Sequence, residues 1–159
     1  MNHTCATYFD NTIKCSGQNS QGSLGNGTGL ISLSPVNVTG ITNATAVSYA
    51  SAYSCALLAD KTIRCWGNDH FGQLGSGSKN TETYTQNNLH HPSQQITQNA
   101  SYKPVSVSGI NTAIAISAGA NHTCALLENK TVKCWGNNQN GQIGDGLGAS
   151  SLTPKLTLF

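Results

Sequence analysis

One block of sequence occurs three times, and its cysteine spacing constrains the chain more than any other feature. Cys5 and Cys15, Cys55 and Cys65, and Cys124 and Cys134 form three C-x9-C pairs, with no cysteine left over. Cys5 and Cys55 are 50 positions apart, and Cys55 and Cys124 are 69 apart. The period is therefore 50 residues, with 19 more in the second unit. Self-similarity at such a period marks a repeat architecture, in which each unit buries its apolar face against a neighbour. The distance from Gly77 to Pro104 exceeds the equivalent Gly27–Pro35 and Gly146–Pro154, which places the extra residues within 78–102. That stretch is rich in Asn, Gln, Thr and His and reads as a mobile surface loop.

Each copy reads as a strand, a tight turn, a second strand and a glycine-rich loop such as Gly72-Gln73-Leu74-Gly75-Ser76-Gly77. Alternating segments follow, as in Pro104-Val105-Ser106-Val107 and Ala113-Ile114-Ala115-Ile116. Period-2 alternation marks half-buried strands, and no helical period is sustained anywhere. The fold is expected to be all-β, with about four short strands per unit. The chain reads as one domain, 1–159, divided into a partial repeat 1–33, a repeat 34–102 with the insertion, a repeat 103–152 and the start of another at 153–159. It falls about ten residues short of three full periods, so its two ends joined would make a unit lacking one strand. Either the sequence is simply truncated there, or a neighbouring chain or flanking sequence completes that unit.

Within a copy, Cys55 opposite Cys65 and Leu57 opposite Ile63 share one antiparallel register centred on Asp60. Opposed residues in such a ladder lie within disulfide range, so pairing inside each copy is expected. Zinc sites use C-x2–4-C knuckles, which are missing, and no cysteine is left to serve as a catalytic thiol. Paired cysteines place the chain in an oxidising compartment, extracellular or secreted. N-x-S/T sequons at Asn2, Asn26, Asn37, Asn43, Asn99, Asn121 and Asn129 are candidate N-glycan sites. Met1-Asn2 leads straight into the first repeat without an apolar leader, so the chain reads as a mature product or an excised piece.

Other signals argue against chemistry. Charged residues are 9 % of the chain and the net charge is +2, which gives no electrostatic basis for nucleic-acid binding. No apolar run of about 18 residues exists to span a membrane. The glycine loops resemble phosphate cradles, but a strand and not a helix N-terminus follows them. Trp66 and Trp135, followed by Gly67 and Gly136, read as packing anchors between units, with a stacking platform for sugar or base as the alternative. His3 and His122 share a repeat position, which points to a structural hydrogen bond with a neighbouring loop. His70, His90 and His91 are surface positions for adventitious metal at most. Asp10, Asp60 and Asn129 mark hairpin tips, and no acid recurs with a basic partner as acid–base catalysis requires. No catalytic residue, metal or cofactor is expected.

The run Gly119-x-x-His122-Thr123-Cys124-Ala125-Leu126, then Val132-x-Cys134-Trp135-Gly136-Asn137 and Gly141-Gln142-Ile143-Gly144-x-Gly146, carries a resemblance. With the Pro-x-x-Val-x-Gly-Ile of 104–110, it is similar to repeats of the regulator of chromosome condensation 1 family. The resemblance implies four-stranded blades, about seven of which close a β-propeller in that family. The paired cysteines look like the extracellular branch. This chain departs in having fewer than three full blades, and in Ser16 and Ser23, where the other copies carry Trp66/Trp135 and Gln73/Gln142. The family includes exchange factors, β-lactamase inhibitors and receptor ectodomains, and none of these roles is carried by residues present here. The expected function is a secreted, non-enzymatic interaction module presenting loops to a protein partner or self-associating as a homo-oligomer. An alternative is a structural subunit that assembles head to tail into a ring or filament, with strands completed between chains. A propeller-type enzyme would need a cluster of carboxylates or histidines at one end of the blades. Function is expected where the repeats differ, in 78–102, the first copy and the two ends.

Overall fold

A computed structural model describes residues 2–88 and 91–158. All regular elements among them are strands, as the alternation requires. The first sheet holds β1 (His3–Thr7), β2 (Ile13–Gly17) and β3 (Ser32–Asn37), in that order. The second orders β4 (Ala44–Tyr49), β5 (Tyr53–Leu58), β6 (Ile63–Asn68) and β9 (Ala100–Ser106). The third orders β10 (Ala113–Ala118), β11 (His122–Leu127), β12 (Val132–Gly136) and β13 (Ser151–Leu156). The first sheet lacks the counterpart of β4 and β10, so one edge of β1 has no ladder partner among the described residues.

Each sheet is built on the cysteine hairpin. The register pairs Cys5 with Cys15, Cys55 with Cys65 and Cys124 with Cys134, and Leu57 faces Ile63. All three disulfides are formed, with Cα–Cα separations of 4.1, 4.0 and 4.1 Å. At the hairpin tips a tight turn is followed by one residue at positive φ: Asn11, Lys61 and Lys130. Asp10, Asp60 and Asn129 fix these tips by accepting from the backbone N–H and hydroxyl of Thr12, Thr62 and Thr131. These bonds hold the Asp10 and Asp60 carboxyls below their ordinary pKa, through the threonine hydroxyl first. Lys130 sits at φ 68°, where a Cβ is strained and glycine is not. Lys130→Gly is expected to raise stability by about 0.5–1 kcal/mol, read as a higher denaturant midpoint.

Pro35, Pro104 and Pro154 fall within β3, β9 and β13, where the ladder to the preceding strand is irregular. The ladder skips there from Cys15–Val36 to Gly17–Ser32, with equivalents in the other sheets, so the missing proline N–H costs no bond.

The 78–102 stretch corrects the loop expectation. It contains a hairpin of β7 (Glu82–Asn88) and β8 (His91–Gln98), and Ala100-Ser101-Tyr102 already belongs to β9. The hairpin is tied down at its base. The Glu82 carboxylate accepts from Tyr102 N–H, and the Gln98 amide donates to Ser20 O of the first sheet's loop at 2.7 Å. Sequence alternation hid these strands because the paired positions are nearly all polar; Tyr84 opposite Ile96 is the apolar exception.

Two apolar clusters lie between the sheets. One joins Cys5, Ile13, Leu24 and Val38 of the first unit to Ala56, Leu58 and Trp66 of the second. The other joins Tyr53, Leu57, Ile63 and Leu74 of the second unit to Ala125, Leu127 and Trp135 of the third. The first disulfide and Trp66 belong to one cluster, and the second disulfide and Trp135 to the other.

Candidate functional site

The joint between sheets is the best-defined site in the molecule, and it is built twice from equivalent residues. Trp66 and Trp135 are fully buried. The Trp66 Nε1–H donates to Ser23 O and the Trp135 Nε1–H to Gln73 O, each at 2.9 Å. A hydroxyl from the same sheet converges on each carbonyl: Ser54 Oγ on Ser23 O at 3.2 Å, and Thr123 Oγ1 on Gln73 O at 3.1 Å. The glycine loop of one unit is thus a socket for the indole of the next. The socket requires glycine, because a Cβ on Gly75 would lie 2.5 Å from Trp135 Nε1 and one on Gly25 would lie 2.8 Å from Trp66. Both rings lie buried in the joint, and neither presents a face to solvent.

The rest of the loop docks on the following unit's last strand. Gly27 N–H donates to Tyr102 O at 2.9 Å, and Gly77 N–H to Leu152 O at 3.0 Å. A Cβ on Gly22 would meet Tyr102 at 2.4 Å, and one on Gly72 would meet Leu152 at 2.5 Å. Gly67 and Gly136 follow the tryptophans at φ 101° and 102°, with a Cβ position 2.5–2.6 Å from the carbonyl oxygens of Ala52 and Asn121.

A set of residues that sequence reading passed over holds each socket open. Asn19, Asp69 and Asn138 are fully buried at one repeat position. Each accepts with Oδ1 from a backbone N–H five residues on, at Leu24, Leu74 and Ile143. The second amide or carboxylate atom then fixes the end of the loop, as in Asn138 Nδ2 to Leu147 O at 2.7 Å and Asn80 N–H to Asp69 Oδ2 at 2.8 Å. The threefold recurrence of Asn or Asp five positions before Leu or Ile was the available signal.

His3 and His122 occupy one position, as their spacing implied, with Tyr53 between them in the series. Their expected partner was a loop; His3 Nε2 instead pairs with Ser54 Oγ, on β5, at 2.8 Å. Tyr53 OH donates to His122 O and lies 3.1 Å from Thr123 Oγ1. Sizes are exchanged across the two joints: His3 packs against Tyr49, with ring centroids 5.4 Å apart, where the larger Tyr53 has Ala118 near it. Burial pushes the Tyr53 phenol far above its ordinary pKa. Burial also lowers the imidazole pKa of His3 and of His122. A lowered folded-state pKa means that the unfolded chain binds more protons as the medium is acidified. The contribution is whole above the ordinary histidine pKa of about 6.5 and is lost as pH falls through the folded-state values. The melting temperature is therefore expected to fall between pH 7.5 and 5, with a shallower slope in His3→Gln.

Of the sequon residues, Asn2, Asn37 and Asn129 are exposed, while Asn26, Asn43, Asn99 and Asn121 are half-buried. His70 is exposed beside Phe71, His90 lies outside the described residues, and His91 begins β8. Among the described residues no three His, Cys, Asp or Glu side chains gather as a metal site. No helix among them is long and apolar enough to cross a membrane.

Among the described residues, large apolar side chains left in solvent are confined to the two outer units. Phe9, Leu30, Ile31 and Leu33 belong to the first, and Ile114, Leu147, Leu156 and Leu158 to the third. No described residue of the second unit joins them.

The sequence matches models of the regulator of chromosome condensation (RCC1) repeat over residues 65–126 and, in a second version of that repeat, over 45–73 and 113–142. The chain belongs to the RCC1 repeat family, and its sheets are RCC1-like propeller blades. Yeast RCC1 (Prp20), in its structure bound to Kap60, superposes with a TM-score of 0.79 at 20 % identity, over 99 % of this chain and 35 % of that one. Prp20p from Saccharomyces cerevisiae, in a structure described with its binding properties to Gsp1p and histones, gives a TM-score of 0.80 at 20 % identity, over 99 % of this chain and 36 % of that one. At this identity the likeness shows the fold alone, and the chain spans little more than a third of those structures' length. No curated protein matches the sequence.

Proposed function

We propose that this chain is a secreted, non-enzymatic protein-interaction module that binds through the outer faces of its first and third sheets and through the insertion hairpin. The observation that carries the reading is the confinement of exposed apolar side chains to the outer units. Exposed large apolar side chains concentrated in particular units support those units as interaction surfaces. The three disulfides favour an oxidising, extracellular setting. The exposed Asn2, Asn37 and Asn129 are open to N-glycosylation there. Prp20p has described binding to Gsp1p and histones, so a protein-binding role has precedent on this fold.

Cross-linking the protein in its native medium, followed by non-reducing mass spectrometry, tests this reading. Oxidised cysteine pairs and cross-links from the outer sheets to a second polypeptide are expected. Free thiols, or no linked polypeptide, contradict it.

A second reading, head-to-tail assembly with strand completion, draws on the unpaired edge of β1 and the three-stranded first sheet. Such an edge is a template for another strand. Light scattering decides it, because a clean monomer at 16.6 kDa excludes assembly.

A further inference from the structure

We propose that the cleft between the second and third units binds a small aromatic anion, a single ring that carries a carboxylate. The cleft has a volume of about 370 Å³ and is lined by His70, Phe71, Lys79, Ser150 and Leu152. It lies within a joint and is independent of the outer faces proposed for protein binding.

At the first joint the equivalent space holds the ring of Tyr102. That ring packs over the first glycine loop. A Cβ on Gly22 would lie 2.4 Å from Tyr102 Cδ1, and one on Gly29 would lie 3.0 Å from the tyrosine hydroxyl oxygen and 3.2 Å from the ring. The hydroxyl accepts from Gln98 Nε2 at 2.8 Å. These neighbours belong to the first two units, so filling such a space takes no residue from a further repeat. At the second joint Leu152 stands where Tyr102 does. It packs over Gly72 in the same way, with a Cβ position there 2.5 Å from Leu152 Cδ2. The shorter side chain ends at that point and leaves open the volume that a phenol ring fills in the first joint.

The loop opposite departs from the repeat at the same place. Lys79 stands where the first and third copies carry Gly29 and Gly148. Phe71 stands where they carry Gln21 and Asn140, and His70 where they carry Ser20 and Gln139. An aromatic ring, an imidazole and an amine thus enter together in the loop that faces the shortened side chain. A void left by a lost ring would be closed by a bulkier apolar neighbour, whereas a lysine closes nothing and brings a charge. Among the described residues Lys79 forms no ion pair with a carboxylate.

The walls are fixed in advance, which limits the ordering cost of binding. His70 N–H donates to Asn68 Oδ1 and Phe71 N–H to Gln73 Oε1, each at 2.9 Å. Asn80 N–H donates to Asp69 Oδ2 at 2.8 Å, which anchors the chain next to Lys79. Across the cleft, Ser150 Oγ accepts from Asn138 N–H at 3.3 Å and keeps its own proton to donate. The Phe71 ring is half-buried and meets the His70 ring edge-on, with centroids 4.8 Å apart. A ligand ring takes the place of the missing phenol, against Leu152 and Phe71. The Tyr102 hydroxyl lies beside the Gly29 position, so the polar end of a ring seated likewise in the second cleft falls at Lys79. The volume is at the small end for ligand pockets and suits one ring with a short acidic arm.

Titration of the full chain with 4-hydroxyphenylacetate, followed by NMR, tests the site. Saturable shifts are expected at His70, Phe71, Lys79 and Leu152, with a dissociation constant on the order of 1 mM. The neutral 4-hydroxyphenylacetamide should bind roughly threefold more weakly, the modest factor that a solvent-exposed charge pair supplies. Lys79→Gly, the residue of the other two copies, should bind the acid and the amide equally. Leu152→Tyr/Lys79→Gly restores the Tyr102 and Gly29 pair of the first joint and should bind neither, while far-UV circular dichroism and the melting temperature show an intact fold. Equal binding of acid and amide by the wild type overturns the proposal. So do saturable shifts that persist in the double variant, and so does the absence of saturable shifts at these four residues with tens of millimolar acid.

Discussion

Trp135→Ala is expected to lower the unfolding free energy by about 3–5 kcal/mol, the cost of emptying a buried aromatic site. The ring is wholly enclosed between the second and third sheets, and its removal leaves a void beside Leu74, Ala125 and Leu127. Loss of the Nε1–H bond adds little. Gln73 O keeps the Thr123 hydroxyl at 3.1 Å, so the carbonyl is not left without a partner. Trp135→Phe should therefore cost distinctly less than the alanine change, because it retains most of the apolar area. Denaturant melts at matched m-values give both numbers. A loss under about 1 kcal/mol for the alanine variant would mean that the sheets are not held by the indole.

Gly67→Ala is expected to be comparably severe, roughly 3 kcal/mol or more, from backbone strain and overpacking together. Its φ is 101°, and the new Cβ would lie 2.5 Å from Ala52 O and 2.7 Å from Tyr53 Cα. Both obstacles are backbone atoms, so neither yields by a side-chain rotation. Gly109→Ala separates the two causes. It has φ 66° but open space around its Cβ position, so only the conformational part remains, about 1 kcal/mol. Thermal melts of the two variants side by side should show the larger drop for Gly67→Ala. Equal drops would show that the close approach at Ala52 is relieved at little cost.

The part of the fold that is local in sequence was legible. Cys55 and Cys65 flank a hairpin whose centre is marked by Asp60, so the register followed from spacing and the structure repeats it three times. The sockets were not legible, because each joins residues far apart in the chain: Trp66 reaches Ser23, and Trp135 reaches Gln73. A tryptophan followed by glycine announces close packing without saying against what. The insertion was not recognised as a hairpin. Its strands pair polar positions such as Thr83 with Thr97, and a two-sided polar strand carries no alternation to read. Asn19, Asp69 and Asn138 were overlooked for a related reason. Buried polar residues that only fix loop backbone look like ordinary turn residues until their partners are seen.

Ser16 and Ser23 illustrate the opposite case, in which a departure from the repeat was visible at once and its consequence was not. Ser23 costs the first socket nothing, because its backbone carbonyl does the accepting. Ser16 removes an indole, which no backbone group replaces.

The central claim is that indoles seated in glycine loops join the sheets into one body. Proton exchange at the two indole N–H groups, followed by NMR on the intact chain, tests it most directly, since Trp66 and Trp135 are the only tryptophans. Both indole protons are predicted to be protected and to exchange only as fast as the whole molecule unfolds. Exchange of either one at the rate of a free indole under native conditions would contradict the account.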